Sequence, residues 1–283
     1  MRAGDADSPG MRLIEISRLV TESTRDVHPG GESRKHTDSG VSANRSALVC
    51  ELHAHTTWSD GELSVRALVE LYGEAGFDVV CVTDHVLRQD DEWPIRHGRP
   101  CVNAANVSAY LEEIECEAVR ALSDYGLLLV PGLELTYNDP DPNLACHVVA
   151  LGLHGIVSMD DGPAAAMEVA RDSGAAIVVA HPHRPSSSFP VSAPTCYFAR
   201  RWRRLRGLFD RVELFNCGQL FSWVAAEGLA PVACGDLHRP EHLPGWTTLI
   251  PCEKDTGALV NFLRSSRPVS LTRLGETKVL LAA

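Results

Sequence analysis

Lysine is almost absent. Lys35, Lys254 and Lys278 are the only ones, so arginine supplies the rest of the 26 basic residues, against 37 Asp and Glu and a net charge of −11. Such a field does not steer the whole chain onto nucleic acid; only a local basic patch can. No run of about 18 apolar residues exists, which excludes a membrane-spanning helix. Met1–Gly10 lacks the basic start and apolar run of a secretory signal. The nine cysteines are odd in number and contain no C-x-x-C. Cys50, Cys81, Cys146 and Cys234 lie in or beside apolar runs, where a free thiol is a small buried hydrophobe, so a reducing, cytoplasmic setting is expected.

The 283 residues are 45% hydrophobic and 22% charged, enough to bury one large core. Residues 1–46 differ from the rest. They are rich in Ser, Thr and charge, carry Gly30-Gly31, and hold one short amphipathic stretch, Met11–Val20. They read as a flexible extension. From Ala47 onward apolar, β-branched runs alternate with helix-like stretches. The runs are Ala47–Leu52, Val79–Thr83, Leu127–Val130, His147–Leu151, Ala176–Ala180, Arg211–Phe215, Pro231–Cys234 and Thr248–Cys252. The helical stretches are Ser64–Ala75, Val102–Tyr125, Gly162–Ser173, Gln219–Glu227 and Asp255–Arg264. Ser64 and Asp255 are placed as N-caps, and Gly76, Gly126 and Gly174 as helix stops. The alternation predicts an α/β fold with parallel strands, and seven or eight units in about 235 residues suit a barrel better than an open sheet.

Nearly every apolar run carries a histidine or carboxylate at its end. His53 and His55 follow the first, Asp84 and His85 the second, Glu134 the third, His181 and His183 the fifth, Asp236 and His238 the seventh. In a parallel barrel these positions ring the C-terminal mouth, where sites are built. His53-Ala54-His55 has the spacing that points two imidazoles to one side of a strand. Mixed imidazole and carboxylate donors suit Mn, Fe or Zn better than Ca or Mg.

In order along the chain, Glu51–Gly61 (ELHAHTTWSDG), Val82–His85 (VTDH), Gly132–Glu134 (GLE), His147, Ala180–Arg184 (AHPHR), Val212–Asn216 (VELFN) and Cys234–His238 (CGDLH) resemble the PHP family, named for its polymerase and histidinol phosphatase members. Gly245–Thr248 and Leu259–Pro268 resemble its closing strand and helix, so the likeness covers about residues 47–270. The resemblance implies a distorted seven-stranded (β/α) barrel over residues 47–283, with two or three divalent ions at the C-terminal strand ends. It implies one metal on His53, His55, Glu134 and Asp236, a second sharing Glu134 with His147 and His181, and a third among Asp60, His85 and His238. Cys234-Gly-Asp-Leu-His departs from the commoner Gly-Ser-Asp-Ala-His of the family but keeps both ligating types. The reaction implied is phosphoester hydrolysis by a hydroxide held between the metals, with Glu134 and Asp236 central to it. No long insertion lies between Glu134 and His147 or between His147 and His181, which favours a small phosphomonoester as the substrate.

Arg184 is placed to grip the phosphoryl group bidentately, with Arg88 and Arg239 as weaker candidates. His183 stands as leaving-group acid, substrate contact or bystander, and Asp84 as a support for a ligand or a turn cap. His28, His36, His97, His154 and His242 read as surface residues. Arg200, Arg201, Arg203, Arg204 and Arg206 surround Trp202 in a helix-compatible patch. A solvated helix face explains it, but it keeps a phosphodiesterase or 5′–3′ exonuclease as the alternative, with nucleic acid the less favoured partner. Amidohydrolase barrels also open with H-x-H, yet many bridge their metals with a carboxylated lysine, and no lysine lies between Lys35 and Lys254. A non-catalytic metal-binding module is the remaining class; degenerate examples lose ligands, and this chain keeps them.

Overall fold

A computed structural model describes residues 47–185, 195–243, 245–274 and 279–282, the last four as backbone. The reading of residues 1–46 as a flexible extension lies outside the described residues. Strand β1 (Leu48–Ala54) leads through helix α1 (Val65–Glu74) to β2 (Val79–Val82) and β3 (His85–Leu87). Short α2 (Trp93–His97) and long α3 (Val107–Tyr125) follow, then β4 (Leu128–Tyr137) and β5 (Cys146–Leu151). Next come α4 (Pro163–Asp172), β6 (Ala176–Val179), α5 (Tyr197–Leu205) and β7 (Arg211–Asn216). The chain closes with β8 (Gln219–Leu220), α6 (Ser222–Ala226), β9 (Pro231–Cys234), β10 (Trp246–Ile250), α7 (Thr256–Leu263), β11 (Val269–Arg273) and β12 (Val279–Ala282).

The helix ends follow their caps. The Ser64 hydroxyl accepts from Ala67 N at 3.2 Å, and the Asp255 carboxylate from Ala258 N at 3.0 Å. Gly126, in the left-handed region at φ 63°, stops α3. Strand periodicity builds two apolar layers. Val80 and Val82, Val148 and Ala150, and Ile177 and Val179 face the helices α1, α3 and α4. Their alternates Val79 and Cys81, Val149 and Leu151, and Ala176 and Val178 pack with Leu259, Phe262 and Leu263 of α7.

The sheet runs β12-β11-β10-β1-β2-β4-β5-β6-β7-β8, with β3 also on β4 and β9 on β7. It curls, because Leu237, just beyond β9, pairs in parallel with Ala54 of β1, and His55 N donates to Leu237 O at 2.9 Å. This is a barrel-like α/β fold. The expectation of parallel strands needs correction: β5 is antiparallel to both β4 and β6, and β10, β11 and β12 are antiparallel to their neighbours. The reversal has a consequence for His147. It is the second residue of β5, and because that strand runs backwards its start lies at the end of the sheet where the parallel strands finish. Two boundaries also moved. The run after Leu127 continues as strand to Tyr137, so Glu134 sits within β4 rather than beyond it. The stretch read as one helix at Gln219–Glu227 is a two-residue strand followed by the shorter α6. No helix among the described residues is long and apolar enough to cross a membrane.

Candidate metal centre

Register places the first donors. In parallel pairing His85 stands opposite Glu134, and in antiparallel pairing Thr136 stands opposite His147. Glu134 and Thr136 share a face of β4, so both histidines reach that face. Glu134 Oε1 lies 3.1 Å from His147 Nδ1, 3.2 Å from His181 Nε2 and 3.5 Å from His53 Nε2. Its Oε2 lies 2.7 Å from His85 Nδ1 and 3.4 Å from His55 Nε2. Asp236 Oδ1 is 3.3 Å from His55 Nε2 and 3.5 Å from His53 Nε2. Asp60 Oδ1 is 3.2 Å from His238 Nε2, 3.4 Å from His85 Nε2 and 3.8 Å from His55 Nδ1. All nine residues expected as ligands therefore meet in one place, although they come from six separate stretches of chain. The tightest groupings differ in detail from the expected sets. His55 joins Asp60, His85 and His238; His53 and His55 join Glu134; and His85 and His147 also join Glu134.

The outer hydrogen bonds of the imidazoles decide which nitrogen faces inward. His53 Nδ1 donates to Glu213 Oε1 at 2.8 Å. Ser59 gives its own proton to Asp84 at 2.5 Å and so accepts from His55 Nδ1 at 3.2 Å. Thr195 gives its proton to His181 O at 2.6 Å and accepts from His181 Nδ1 at 3.2 Å. His147 Nε2 meets Asn138 Oδ1 at 3.2 Å, His85 Nδ1 meets Thr136 Oγ1 at 2.7 Å, and His238 Nδ1 meets the Asp236 carbonyl at 3.0 Å. For His53, His55, His147, His181 and His238 the outer nitrogen thus has an acceptor of its own, so that in the neutral ring the inner nitrogen turns a lone pair toward carboxylate oxygen; His85 Nδ1 is shared between Thr136 Oγ1 and Glu134 Oε2, each at 2.7 Å. Acceptor against acceptor in a buried space is unfavourable without a cation between. The carboxylates carry the same signature: Asp60 Oδ1, Glu134 Oε2 and Asp236 Oδ1 are buried and have no hydrogen-bond donor. The donor set fits divalent ions.

Charge reports the same arrangement. Burial opposes ionisation of Glu134 and Asp236, yet the surrounding imidazoles hold both well below the usual carboxylate range. Burial pulls His238 down, but Asp60 and Asp236 outweigh it and raise it to about 9. Burial, with His238 and His85 beside it, lowers His55 to about 3. The backbone is strained at two of the donors: His181 at φ 27° and Asp236 at φ 49° occupy the left-handed region without being glycine. Gly61 is required where it stands, since a Cβ there would lie 2.4 Å from the His55 carbonyl oxygen.

The other expected residues are placed less simply. The Asp84 carbonyl accepts from Glu134 N at 3.1 Å, while its carboxylate accepts from Thr56 N at 2.8 Å and Thr56 Oγ1 at 2.7 Å as well as from Ser59, and so holds the turn that holds His55. His183 is buried, its Nδ1 accepts from Thr195 N at 3.3 Å, and burial lowers it to about 4. Arg184 is half-exposed, with its guanidinium 2.8 Å from Glu227 Oε1 and 5.0 Å over the Trp223 ring. Arg88 donates to Asn138 O at 3.1 Å and lies over Tyr137. In α5, Arg203 pairs with the same Glu227 and Arg201 donates to Asn143 O, whereas Arg200, Arg204 and Arg206 are exposed.

His242, expected at the surface, instead accepts from His238 N at 3.3 Å. Sequence reasoning also missed Glu213 and Glu51. Glu213 accepts from His53, from His181 N at 2.6 Å and from Asn216 Nδ2 at 2.8 Å. Glu51 accepts from Leu52 N and His53 N, each at 3.0 Å, and from Gly235 N at 2.9 Å. Burial outweighs these bonds and raises its carboxyl to about 7. A carboxylate inside an apolar run, as in Val212-Glu213-Leu214, was the available signal.

No protein-family profile and no curated protein matches this chain. Solved structures do. A two-domain protein from Bacteroides vulgatus, described as containing a predicted PHP-like metal-dependent phosphoesterase, superposes at TM-score 0.56 and 18% identity, over 86% of this chain and 69% of that one. The fold is PHP-like. The resemblance carried by the ordered motifs of this chain therefore rests on a shared PHP-like architecture as well. An amidohydrolase from Chromobacterium violaceum with bound sulfate is 14% identical over 80% of this chain and 98% of its own, at TM-score 0.49. A protein from Bifidobacterium adolescentis assigned as a metal-dependent phosphoesterase is 15% identical over 68% and 88%, at TM-score 0.43.

Proposed function

We propose that residues 47–283 form a metal-dependent phosphoesterase domain that hydrolyses a small phosphomonoester. The observation that carries this reading is three buried carboxylate oxygens without a hydrogen-bond partner, Asp60 Oδ1, Glu134 Oε2 and Asp236 Oδ1, gathered among six imidazoles. We assign the sheet as a distorted barrel of seven staves: β1, β2 continued by β3, β4, β5, β6, β7 and β9. Two or three divalent ions, Mn, Fe or Zn, would be held by His53, His55, Glu134 and Asp236, by Glu134, His147 and His181, and by Asp60, His85 and His238. When bound, such ions supply hydroxide near neutral pH and draw charge from the phosphoryl oxygens.

The residues of this chain do the rest. Glu134, with one oxygen toward His53, His147 and His181 and the other toward His55 and His85, would be shared between ions. Glu213 and Thr195 fix the tautomers of His53 and His181, so the donors are oriented before substrate arrives. His183 accepts at Nδ1 and so carries its proton on Nε2. Lowered to about 4, it is neutral at pH 7 and acts as an N–H donor to substrate oxygen rather than as an imidazolium acid. Arg184 reaches a phosphoryl group only by exchanging its Glu227 partner for it.

The arginines of α5 support a second reading, a phosphodiesterase, because α5 starts two residues after Thr195, the partner of His181. Turnover of p-nitrophenyl phosphate and of bis(p-nitrophenyl) phosphate by Mn-loaded protein separates the two. Preference for the monoester, lost in Glu134→Ala, supports the phosphatase; preference for the bis-ester overturns it in favour of the diesterase.

A further inference from the structure

A cavity of about 760 Å³ opens beside the donors Asp60, His85 and His147. That volume is in the range of small-molecule sites and far exceeds what one phosphoryl group needs. Its far wall is the segment from Leu87 through α2, and that wall is braced. Gln89 N donates to Asp160 at 2.8 Å, Trp93 N to Asp91 at 2.8 Å, and Arg88 is held on Asn138 O and Tyr137. On this wall stands Trp93, half-buried, its ring 5.8 Å from that of His85 and 5.1 Å from that of His97. An indole one ring away from a metal-facing imidazole offers a flat apolar surface where the non-phosphoryl part of a substrate would lie.

The charges of the cavity narrow the fit. Its two arginines are already engaged: Arg96 with Glu92 at 2.6 Å, and Arg88 with Asp90 at 3.4 Å. Asp91 and Asp139 add negative charge with no arginine left over. A second anionic group on the substrate would meet repulsion here.

Resting on the monoesterase reading, we propose that this cavity receives the leaving group, and that Trp93 makes the enzyme selective for planar aromatic or heteroaromatic leaving groups without a further anionic substituent.

The test compares Mn-loaded wild type, Trp93→Ala and Trp93→Phe on phenyl phosphate, 4-carboxyphenyl phosphate and glycerol 3-phosphate. Intrinsic reactivity cancels when each variant is referred to wild type. Trp93→Ala is expected to lower the phenyl-to-glycerol ratio of kcat/KM about fivefold to tenfold, with Trp93→Phe retaining most of it. Wild type is expected to prefer phenyl over 4-carboxyphenyl phosphate. Binding gives an independent readout, since phenylphosphonate should bind more tightly than methylphosphonate to wild type and lose that advantage in Trp93→Ala. An unchanged ratio in Trp93→Ala at wild-type metal content overturns the inference while leaving the monoesterase reading intact. Absence of turnover by metal-loaded wild type counts against the monoesterase reading. The phosphonate comparison then still decides the role of Trp93, and equal affinities for the two phosphonates overturn it.

Discussion

Replacing Glu213 by Gln removes one charge from beneath two metal-facing histidines without changing shape. Glu213 is fully buried, and both its oxygens only accept: Oε1 from His53 Nδ1, Oε2 from His181 N and Asn216 Nδ2. An amide must turn its NH₂ to one side or the other. Toward His53 it confronts the Nδ1 proton and drives the ring to the tautomer whose Nε2 carries hydrogen, which cannot ligate. Toward His181 it meets a backbone N–H that cannot move. Each choice forfeits a charge-assisted hydrogen bond, about 1.5–3 kcal/mol, consistent with the tenfold to hundredfold loss of metal affinity usual for such supports. Titration of metal-free Glu213→Gln with Mn²⁺ should thus give a Kd about 10–100 times that of wild type, with unchanged helical and sheet content. An unchanged Kd would refute the claim that outer hydrogen bonds set the inner lone pairs.

Folding stability should depend on pH with opposite signs in the two metal states. In metal-free protein His238 is raised to about 9. Its contribution is therefore full below the unfolded value of about 6.5 and disappears as pH rises through 9. With Mn²⁺ the histidines must be neutral, so stability should instead rise from pH 6 to pH 8, as thermal unfolding at several pH values will reveal. Arg211 is buried and donates to the carbonyls of Phe262 and Leu263 in the last turn of α7 and of Ser265 and Arg267 just beyond it. Arg211→Met strands these acceptors and should cost about 3 kcal/mol, a fall in Tm of about 6–12 °C, with metal content per folded molecule unchanged. Among the thiols, exposed Cys116 and Cys217 should react first with a disulfide reagent, while buried Cys50, Cys81, Cys146, Cys196 and Cys234 should wait for unfolding.

The apolar runs located most strands, and Ser64, Asp255 and Gly126 marked their helix ends because caps are local chemistry. Strand direction is not local. Nothing in Cys146–Leu151 distinguishes a parallel from an antiparallel neighbour, since β-branched burial suits both. The donors were legible because polar residues at the ends of apolar strands have few other reasons to be there. Their supports were less so. Thr136, Thr195 and Asn138 are ordinary polar residues until register and loop path bring them against a ring nitrogen. Arg184 shows the converse, since its place after His183 suggested a phosphate contact and the fold sets it beside Glu227 and Trp223.

The most direct test is to strip the protein with a chelator, reload it with Mn²⁺ in steps, and measure bound metal and p-nitrophenyl phosphate turnover on the same samples. Turnover should be absent in the stripped protein and rise with occupancy to a plateau at two or three ions per chain. Glu134→Ala should bind fewer ions and stay inactive. Turnover that survives stripping, or a Glu134→Ala protein that binds and hydrolyses as wild type does, would contradict the account.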